Sequence, residues 1–472
     1  MSTSSVLYDV PGPRAKRTDR ILNVVFTLIF LAILAFAVYS AYKKGVFDDR
    51  WSVLWDPPKN QEATDVWHSL LVRGLGATLL AAAVSAPLAA SGDLSARLTK
   101  SLRSPDISLA CTAAIAVDAG TGTVLYAHND ALPVHPASNE KLPVSWAALT
   151  RLGTEYRFTT EVLGVGRRAG RLWNGDLYLR SNGDPTLSSA DIAALAATLR
   201  ARGIRRVNGR IRGDESAFDQ RRGADGWKRY FVGGETPPLS ALVVDRAQGW
   251  PSLSPPLLAA RTLRKALVAR KIAVGGRIGL GTAPGDAVPL ATDTSDPLAA
   301  IVQRMNRDSD NFTAEMLLKH LGTLDGGVGT SARGAAVVIA EMRAADIPTA
   351  GVRLVDGSGL SSLDRMTART LAAVIRAGLE NPEIRAAFVQ SLAVAGRSGT
   401  LRARLPTLTG VVRGKTGTTD LACSLSGLLS DSIVFAVLQN GAPVAYWSAR
   451  TAQDRFVLAL ASSLRRSAST RP

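Results

Sequence analysis

Apolar residues in this chain fall into runs of different kinds, and the first is unbroken. Ile21 to Tyr42, ILNVVFTLIFLAILAFAVYSAY, is 22 residues without a formal charge. At about 1.5 Å per residue a helix of this length crosses a hydrocarbon core, so the pattern predicts a transmembrane helix over 21–42. Arg14, Lys16, Arg17 and Arg20 precede it and Lys43, Lys44 and Arg50 follow, a bias that favours a cytoplasmic N-terminus. A second apolar run, Leu70 to Gly92, carries an arginine, a short apolar centre and then small residues with Pro87, the layout of a secretory signal peptide. If both runs spanned, everything after Gly92 would return to the cytoplasm. Either 21–42 is an anchor or an exported chain starts near Val72, and both leave the remainder outside the cytoplasm.

Beyond Ser91 the apolar spacing changes to that of a folded domain. A helix is expected over Leu94 to Leu102, then a hairpin in ACTAAIAVDAGTGTVLYAHND, then a helix around Ser138 to Leu152. From Phe158 to Phe218 short strands alternate with turns around one helix, Ser189 to Arg202. After Asp296 helical spacing returns in PLAAIVQRMNRDSDNFTAEMLLKHL, GAAVVIAEMRAA and TARTLAAVIRAGLE; two strands (SLSGLLSDSIVFAVLQNG) and a closing helix follow. The order implies an α/β (α+β) fold, an antiparallel sheet with helices on both faces, its halves separated in sequence by a mainly-β insert. The expected organisation is 1–68 membrane segment, 69–92 signal-like segment, 93–159 first half, 160–294 insert, 295–465 second half and 466–472 tail.

Composition adds a constraint on partners. Net charge is +17, and only +2 of it lies in the first 90 residues (9 basic, 7 acidic). Such an excess suits an anionic environment, but the arginines are scattered, without zinc-finger spacing or aromatic-interleaved strings, so no nucleic-acid partner is expected. Cys111 and Cys423 have no CxxC spacing and the four histidines lie far apart, so no metal or other cofactor is implied. One disulfide or two free thiols remain open.

Three short motifs occur in order: Ser138-Asn139-Glu140-Lys141, Ser309-Asp310-Asn311 and Lys415-Thr416-Gly417-Thr418. The first alone means little, since Ser40-Ala41-Tyr42-Lys43 has the same spacing. Together they describe chemistry. A serine hydroxyl needs a base, and residues three apart on a helix share a face, so Lys141 can reach the Ser138 oxygen. Lysine works as a base only with its pKa lowered, through burial or a cation such as Lys415 across the cleft. Ser309 can relay a proton to the leaving nitrogen and Asn311 can hold the substrate amide. The third motif reads as an edge strand that pairs with an extended peptide, with Lys415, Thr416 and Thr418 binding a terminal carboxylate. The sum is acyl transfer from a peptide that ends in a free carboxylate.

The ordered set resembles the penicillin-binding protein and serine β-lactamase superfamily, whose motif strings these are. Within it, NGDLYLRSNGDPTLS, VNGRIRGDESAFD, MNRDSDNFTAEMLLKHLG and VDGSGLSSLDRMTA are similar to the D-alanyl-D-alanine carboxypeptidase/endopeptidase family, the low-molecular-mass class C penicillin-binding proteins. The resemblance covers roughly Ser91 to Leu464. It implies peptidoglycan stem peptides ending in D-Ala-D-Ala as substrates, β-lactams as covalent inhibitors and an acyl-enzyme on Ser138. It further implies Lys141 as base, Ser309 and Asn311 as shuttle and amide ligand, and Lys415, Thr416, Gly417 and Thr418 as carboxylate site. The N–H groups of Ser138 and Thr418 would form the oxyanion hole. The N-terminal strings VLYDVPGPRAKR and WHSLLVRGLGATL resemble the start of polar amino-acid ABC-transporter permeases, though no permease body follows.

Two features depart from the family pattern. Pro143 should kink the helix that begins at Ser138. The 171-residue step from Ser138 to Ser309 is short for the largest members, so a single reduced insert is expected. Two other functions compete. A serine β-lactamase needs a deacylating carboxylate, for which only Glu341 and Asp346 are in range, without the accompanying asparagine. A non-catalytic wall-binding protein would not need Ser138, Lys141 and Lys415 intact.

Overall fold

A computed structural model of the chain describes residues 94–469, so the apolar runs at 21–42 and 70–92 lie outside the described residues. Among the described residues no helix is long and apolar enough to cross a membrane.

The main sheet has six strands. β1 (Thr112–Asp118) and β2 (Val124–His128) form the expected hairpin, followed by helix α2 (Lys141–Leu152). Preceding them is α1 (Leu94–Leu102). After the insert come α5 (Leu298–Asp308), α6 (Asn311–Leu321), α7 (Ser331–Ala344), α8 (Ala368–Glu380) and α9 (Arg385–Ser391). The chain closes with β10 (Ala393–Val394), β11 (Val412–Thr418), β12 (Ala422–Leu429), β13 (Ile433–Asn440) and α10 (Tyr446–Ser469). Strand order is β10-β11-β12-β13-β1-β2, antiparallel throughout, so the two sequence halves meet where β1 pairs with β13.

Helices cover both faces, which is why β12 and β13 are almost wholly buried rather than alternately exposed. The period-2 geometry of β13 sorts its side chains into two cores. Val434, Ala436 and Leu438 join Leu142, Leu149, Leu317 and Ile375 on one side; Ile433, Phe435 and Val437 join Leu98, Leu102, Phe456 and Leu460 on the other.

The insert leaves and rejoins the main domain at one point, because Thr159 and Thr294 are cross-strand partners. It contains β3 (Thr159–Ala169), β4 (Leu172–Ser181), α3 (Ser189–Ala201), β5 (Arg206–Val207), β6 (Ile211–Asp214), α4 (Pro255–Ala269), β7 (Ala273–Val274), β8 (Ile278–Leu280) and β9 (Val288–Thr294). Mainly β was the expectation, and here the structure differs. β4–β5, β4–β6, β5–β7 and β6–β8 are parallel pairs, and α3 and α4 pack on the sheet around Leu177, Leu195, Leu263 and Leu267. Parallel neighbours need crossover connections, which these helices provide. Pro255 and Pro256 stand at the first helical positions of α4, where their missing N–H groups cost nothing.

The kink expected from Pro143 is absent for the same reason. Residues 137–140 form a 3-10 turn and the α-helix starts at Lys141, so Pro143 falls in the first turn, whose N–H groups have no partner within the helix.

Candidate active site

The three motifs converge on one cleft. Ser138, half-exposed, sits in the 3-10 turn at the head of α2. Lys141 and Lys415 are both fully buried beside it. Lys141 Nζ donates to Ser138 Oγ at 3.0 Å, to Asn311 Oδ1 at 2.8 Å and to the Ser358 carbonyl at 2.5 Å. Lys415 Nζ donates to Ser309 Oγ and to the Thr416 carbonyl, each at 2.8 Å.

Local backbone puts each group in place. Ser309 ends α5 in the left-handed region (φ 62°), which turns the chain sharply enough for Asp310 to cap α6 through the Phe312 and Thr313 N–H groups. Arg246 from the insert pairs with Asp310 and lies over the Phe312 ring at 5.2 Å. Ala137, just before the nucleophile, also has positive φ, an uncommon conformation for a residue with a side chain. The turn is pinned to the sheet by Ser424 of β12, which donates to the Pro136 carbonyl at 2.7 Å and accepts from Asn139.

β11 was expected at the sheet edge; it is second from it. The two-residue β10 pairs only with Arg413 and Gly414, so no described strand covers that side of Lys415 to Thr418. Gly417 lies directly across from Ser424 and against the nucleophile turn, while Thr418 is exposed at the strand end opposite Cys423. Cys111 is exposed and Cys423 buried, and both thiols are free.

Electrostatics set the two lysines apart from ordinary ones. Burial brings Lys141 down to about 8, against the opposing pull of Asp356, Asp310, Glu140 and Glu315. Lys415 is pushed well below the usual lysine range, by burial first and then by the Lys141 charge. Glu140 is wholly buried with neither carboxyl oxygen hydrogen-bonded, and burial together with Asp356 pushes it well above the carboxylate range. The shift favours the protonated carboxyl, the form that leaves no unpaired charge buried there.

Several residues that hold this cleft together carry no signal in the motifs. Asp356, in the segment read as a turn, accepts from Trp227 Nε1, Ser358 Oγ and the N–H groups of Gly359, Leu360 and Ser361. That loop brings the Ser358 carbonyl to Lys141. Glu315 holds the loop's other side through the Gly357 N–H at 2.6 Å. The insert roofs the cleft through Trp227, through a Lys228–Asp420 ion pair at 2.6 Å and through the Glu235 carbonyl, which accepts from Asn311 Nδ2 at 3.3 Å. His135 is a brace: its Nδ1 accepts from Ala137 N–H, so its Nε2 donates to the Ser361 carbonyl at 2.8 Å. Glu341 pairs with Arg151 at the end of α2 remote from Ser138, and Asp346 is exposed in the turn after α7.

The arrangement offers a serine hydroxyl, an amine able to take its proton, a second hydroxyl held by a second amine, and an open strand edge. Comparison with known proteins agrees with it. The sequence pattern of the D-Ala-D-Ala carboxypeptidase 3 (S13) family matches residues 94–257 and 248–463. A D-alanyl-D-alanine carboxypeptidase of Actinomadura sp. (strain R39) is 31% identical over 428 residues, covering 72% of this chain and 79% of its own. Carboxypeptidase DacB of Mycolicibacterium smegmatis is 33% identical over 411 residues, covering 80% and 86%. In three dimensions, penicillin binding protein 4 (dacB) from Haemophilus influenzae superposes with a TM-score of 0.69 over 79% of this chain and 99% of that one, at 20% identity, and so shares the fold. With the motifs in one cleft and the match running through both halves of the sheet, the chain belongs to the D-Ala-D-Ala carboxypeptidase 3 (S13) family.

Proposed function

We propose that this chain removes the terminal D-alanine from peptidoglycan stem peptides ending in D-Ala-D-Ala, through an acyl ester on Ser138. Neutral Lys141 takes the Ser138 proton as the oxygen attacks the penultimate carbonyl. The N–H groups of Ser138 and Thr418 receive the developing oxyanion charge. Ser309, held by Lys415, relays the proton that Lys141 took to the departing amine, giving up its own proton and regaining one from Lys141; Asn311 holds the substrate amide, and Lys415 with Thr416 and Thr418 receives the terminal carboxylate. The arriving carboxylate favours the charged form of Lys415, opposing the burial that lowers its pKa. Water then hydrolyses the ester.

The observation that carries this reading is the 3.0 Å contact between Ser138 Oγ and the buried Lys141 amine. A fluorescent penicillin tests it: covalent labelling that disappears in Ser138→Ala supports it, and absence of label on folded wild-type protein overturns it. Release of D-alanine from a D-Ala-D-Ala peptide then identifies the substrate, and a cross-linked dimer of stem peptides separates endopeptidase from carboxypeptidase action. A β-lactamase reading has no support in the positions of Glu341 and Asp346. We read the catalytic part as lying outside the cytoplasm, anchored by Ile21 to Tyr42 or released after the 70–92 run; N-terminal sequencing of the exported product distinguishes the two.

A further inference from the structure

The inserted domain carries a concentration of positive charge away from the catalytic cleft. At one end of its sheet the β3–β4 hairpin, the end of α3, β5 and the end of α4 meet, because β5 pairs with the start of β4 and with β7. Arg205 N–H donates to the Arg171 carbonyl at 2.8 Å, and Arg200 Nη1 donates to the Lys271 carbonyl at 3.0 Å. The Arg168 guanidinium lies over Gly203, so close that a methyl group there would come within 2.8 Å of it. Thus Arg168, Arg171, Arg202, Arg205, Arg206 and Lys271 share one end.

None of these six is in an ion pair with a described carboxylate. Their hydrogen bonds go to neutral oxygens: Arg168 to Gly170, Arg202 to Pro289, Arg205 to Arg200 and Ile204, Arg206 to the Asn208 amide. Capping of the α3 terminus accounts for Arg205, but carbonyl contacts cancel no charge. The nearby carboxylate Asp176 is already occupied by Arg212 and the Arg210 N–H. Like-charge crowding is felt within the cluster: Arg205 is held below the usual arginine range by burial and then by Arg200 and Arg171. Two aliphatic side chains stand out among the cations. Val268, one turn before Lys271, is 57% exposed, and Val288, beside the Pro289 that accepts from Arg202, is 46% exposed.

We propose that this end of the insert rests on an anionic lipid surface, with Arg168, Arg171, Arg202, Arg206 and Lys271 on the headgroup phosphates and Val268 and Val288 in the interfacial layer. Uncompensated cations alone fit any polyanion. Exposed valines beside them gain nothing from a hydrated phosphodiester polymer, whereas a bilayer interface takes both groups together. The uncharged run at Ile21 to Tyr42 argues in the same direction, since it would keep the domain near a bilayer.

The test uses the full chain carrying Cys111→Ser and Val268→Cys, labelled at position 268 with an environment-sensitive dye and reconstituted into vesicles. A blue shift in vesicles containing phosphatidylglycerol, absent in pure phosphatidylcholine and reversed by high salt, is expected. The additional changes Arg171→Glu, Arg206→Glu and Lys271→Glu should abolish the shift while penicillin still labels Ser138, which reports on folding and on the catalytic reading separately. Equal emission in the two vesicle types overturns the proposal. So does a shift produced in phosphatidylcholine vesicles by soluble poly(glycerol phosphate), which would reassign this end to a wall polymer. If the charge-reversed variant fails to label, the lipid and salt comparisons on the parent chain still decide.

Discussion

Gly417 of β11 backs directly onto the Ser138 amide. A Cβ at position 417 would come within 2.8 Å of Ser138 N, and within 2.3 Å of Ser424 Oγ, the hydroxyl that pins the nucleophile turn to β12. β11 and the turn that bears Ser138 are thus in contact through a missing side chain. Gly417→Ala must push one away from the other. Displacement of about 1 Å between reacting groups costs on the order of 10²-fold in rate, so the acylation rate with a fluorescent penicillin should fall by about that factor. An unchanged rate would show that the β11 contact does not set the position of Ser138.

The pH dependence of acylation follows from Lys141. Only the neutral amine accepts the Ser138 proton, and with the pKa lowered to about 8 roughly a tenth of the molecules carry it at pH 7. The rate should rise about tenfold per pH unit up to about 8 and level off above it. An ordinary lysine would keep the rate climbing beyond pH 10, and such a profile would show that Lys141 is not the base. Lys141→Arg, whose charge cannot be removed in this range, should lower acylation by about 10²–10⁴-fold.

The parts of this site that were legible in sequence are those in which one residue type does one job at fixed spacing. Ser138 and Lys141, three apart at a helix start, are the clearest case, and the largely apolar runs of β12 and β13 marked the core of the sheet. Residues that work through tertiary contact were not legible. Asp356 acts on Lys141 through a loop 217 positions away from it, and Trp227 reaches Asp356 across 129 positions. Ser424 looks like a polar interruption of a buried strand until its partners Pro136 and Asn139 are in view. The parallel pairings of the insert were hidden because two- to four-residue strands such as β5, β6 and β7 are too short to show a period.

Asp356 should therefore matter to activity without touching substrate. Its carboxylate accepts bonds from five donors, and an amide in its place cannot accept at both oxygen positions. Asp356→Asn should lose about 1–3 kcal/mol of stability, the cost of leaving one buried donor unsatisfied. Because the Ser358 carbonyl is released from its place on Lys141 Nζ, acylation should also slow. Urea unfolding and penicillin labelling measure the two effects independently. A stability loss with full acylation would leave Asp356 as loop scaffold only.

His320 links the insert to α6 and gives the fold a specific sensitivity to acid. Its Nε2 accepts from the Tyr156 hydroxyl and its Nδ1–H donates to the Asn182 carbonyl, each at 2.9 Å. Burial lowers its pKa to about 4, from about 6.5 in an unfolded chain. Between those values the unfolded state binds the extra proton, so stability is fully present above pH 6.5 and is lost as pH falls to about 4. The shift corresponds to roughly 3 kcal/mol. Glu140, Glu315 and Asp364 act in the opposite sense, because their pKa values are raised in the fold and their contribution grows on acidification. Comparison with His320→Gln isolates the histidine, since glutamine keeps a donor and an acceptor but does not titrate. Urea midpoints measured from pH 7 to pH 4 should show the wild type losing stability relative to this variant by that amount. A difference that stays constant with pH would mean that His320 titrates in the fold as it does in the unfolded chain.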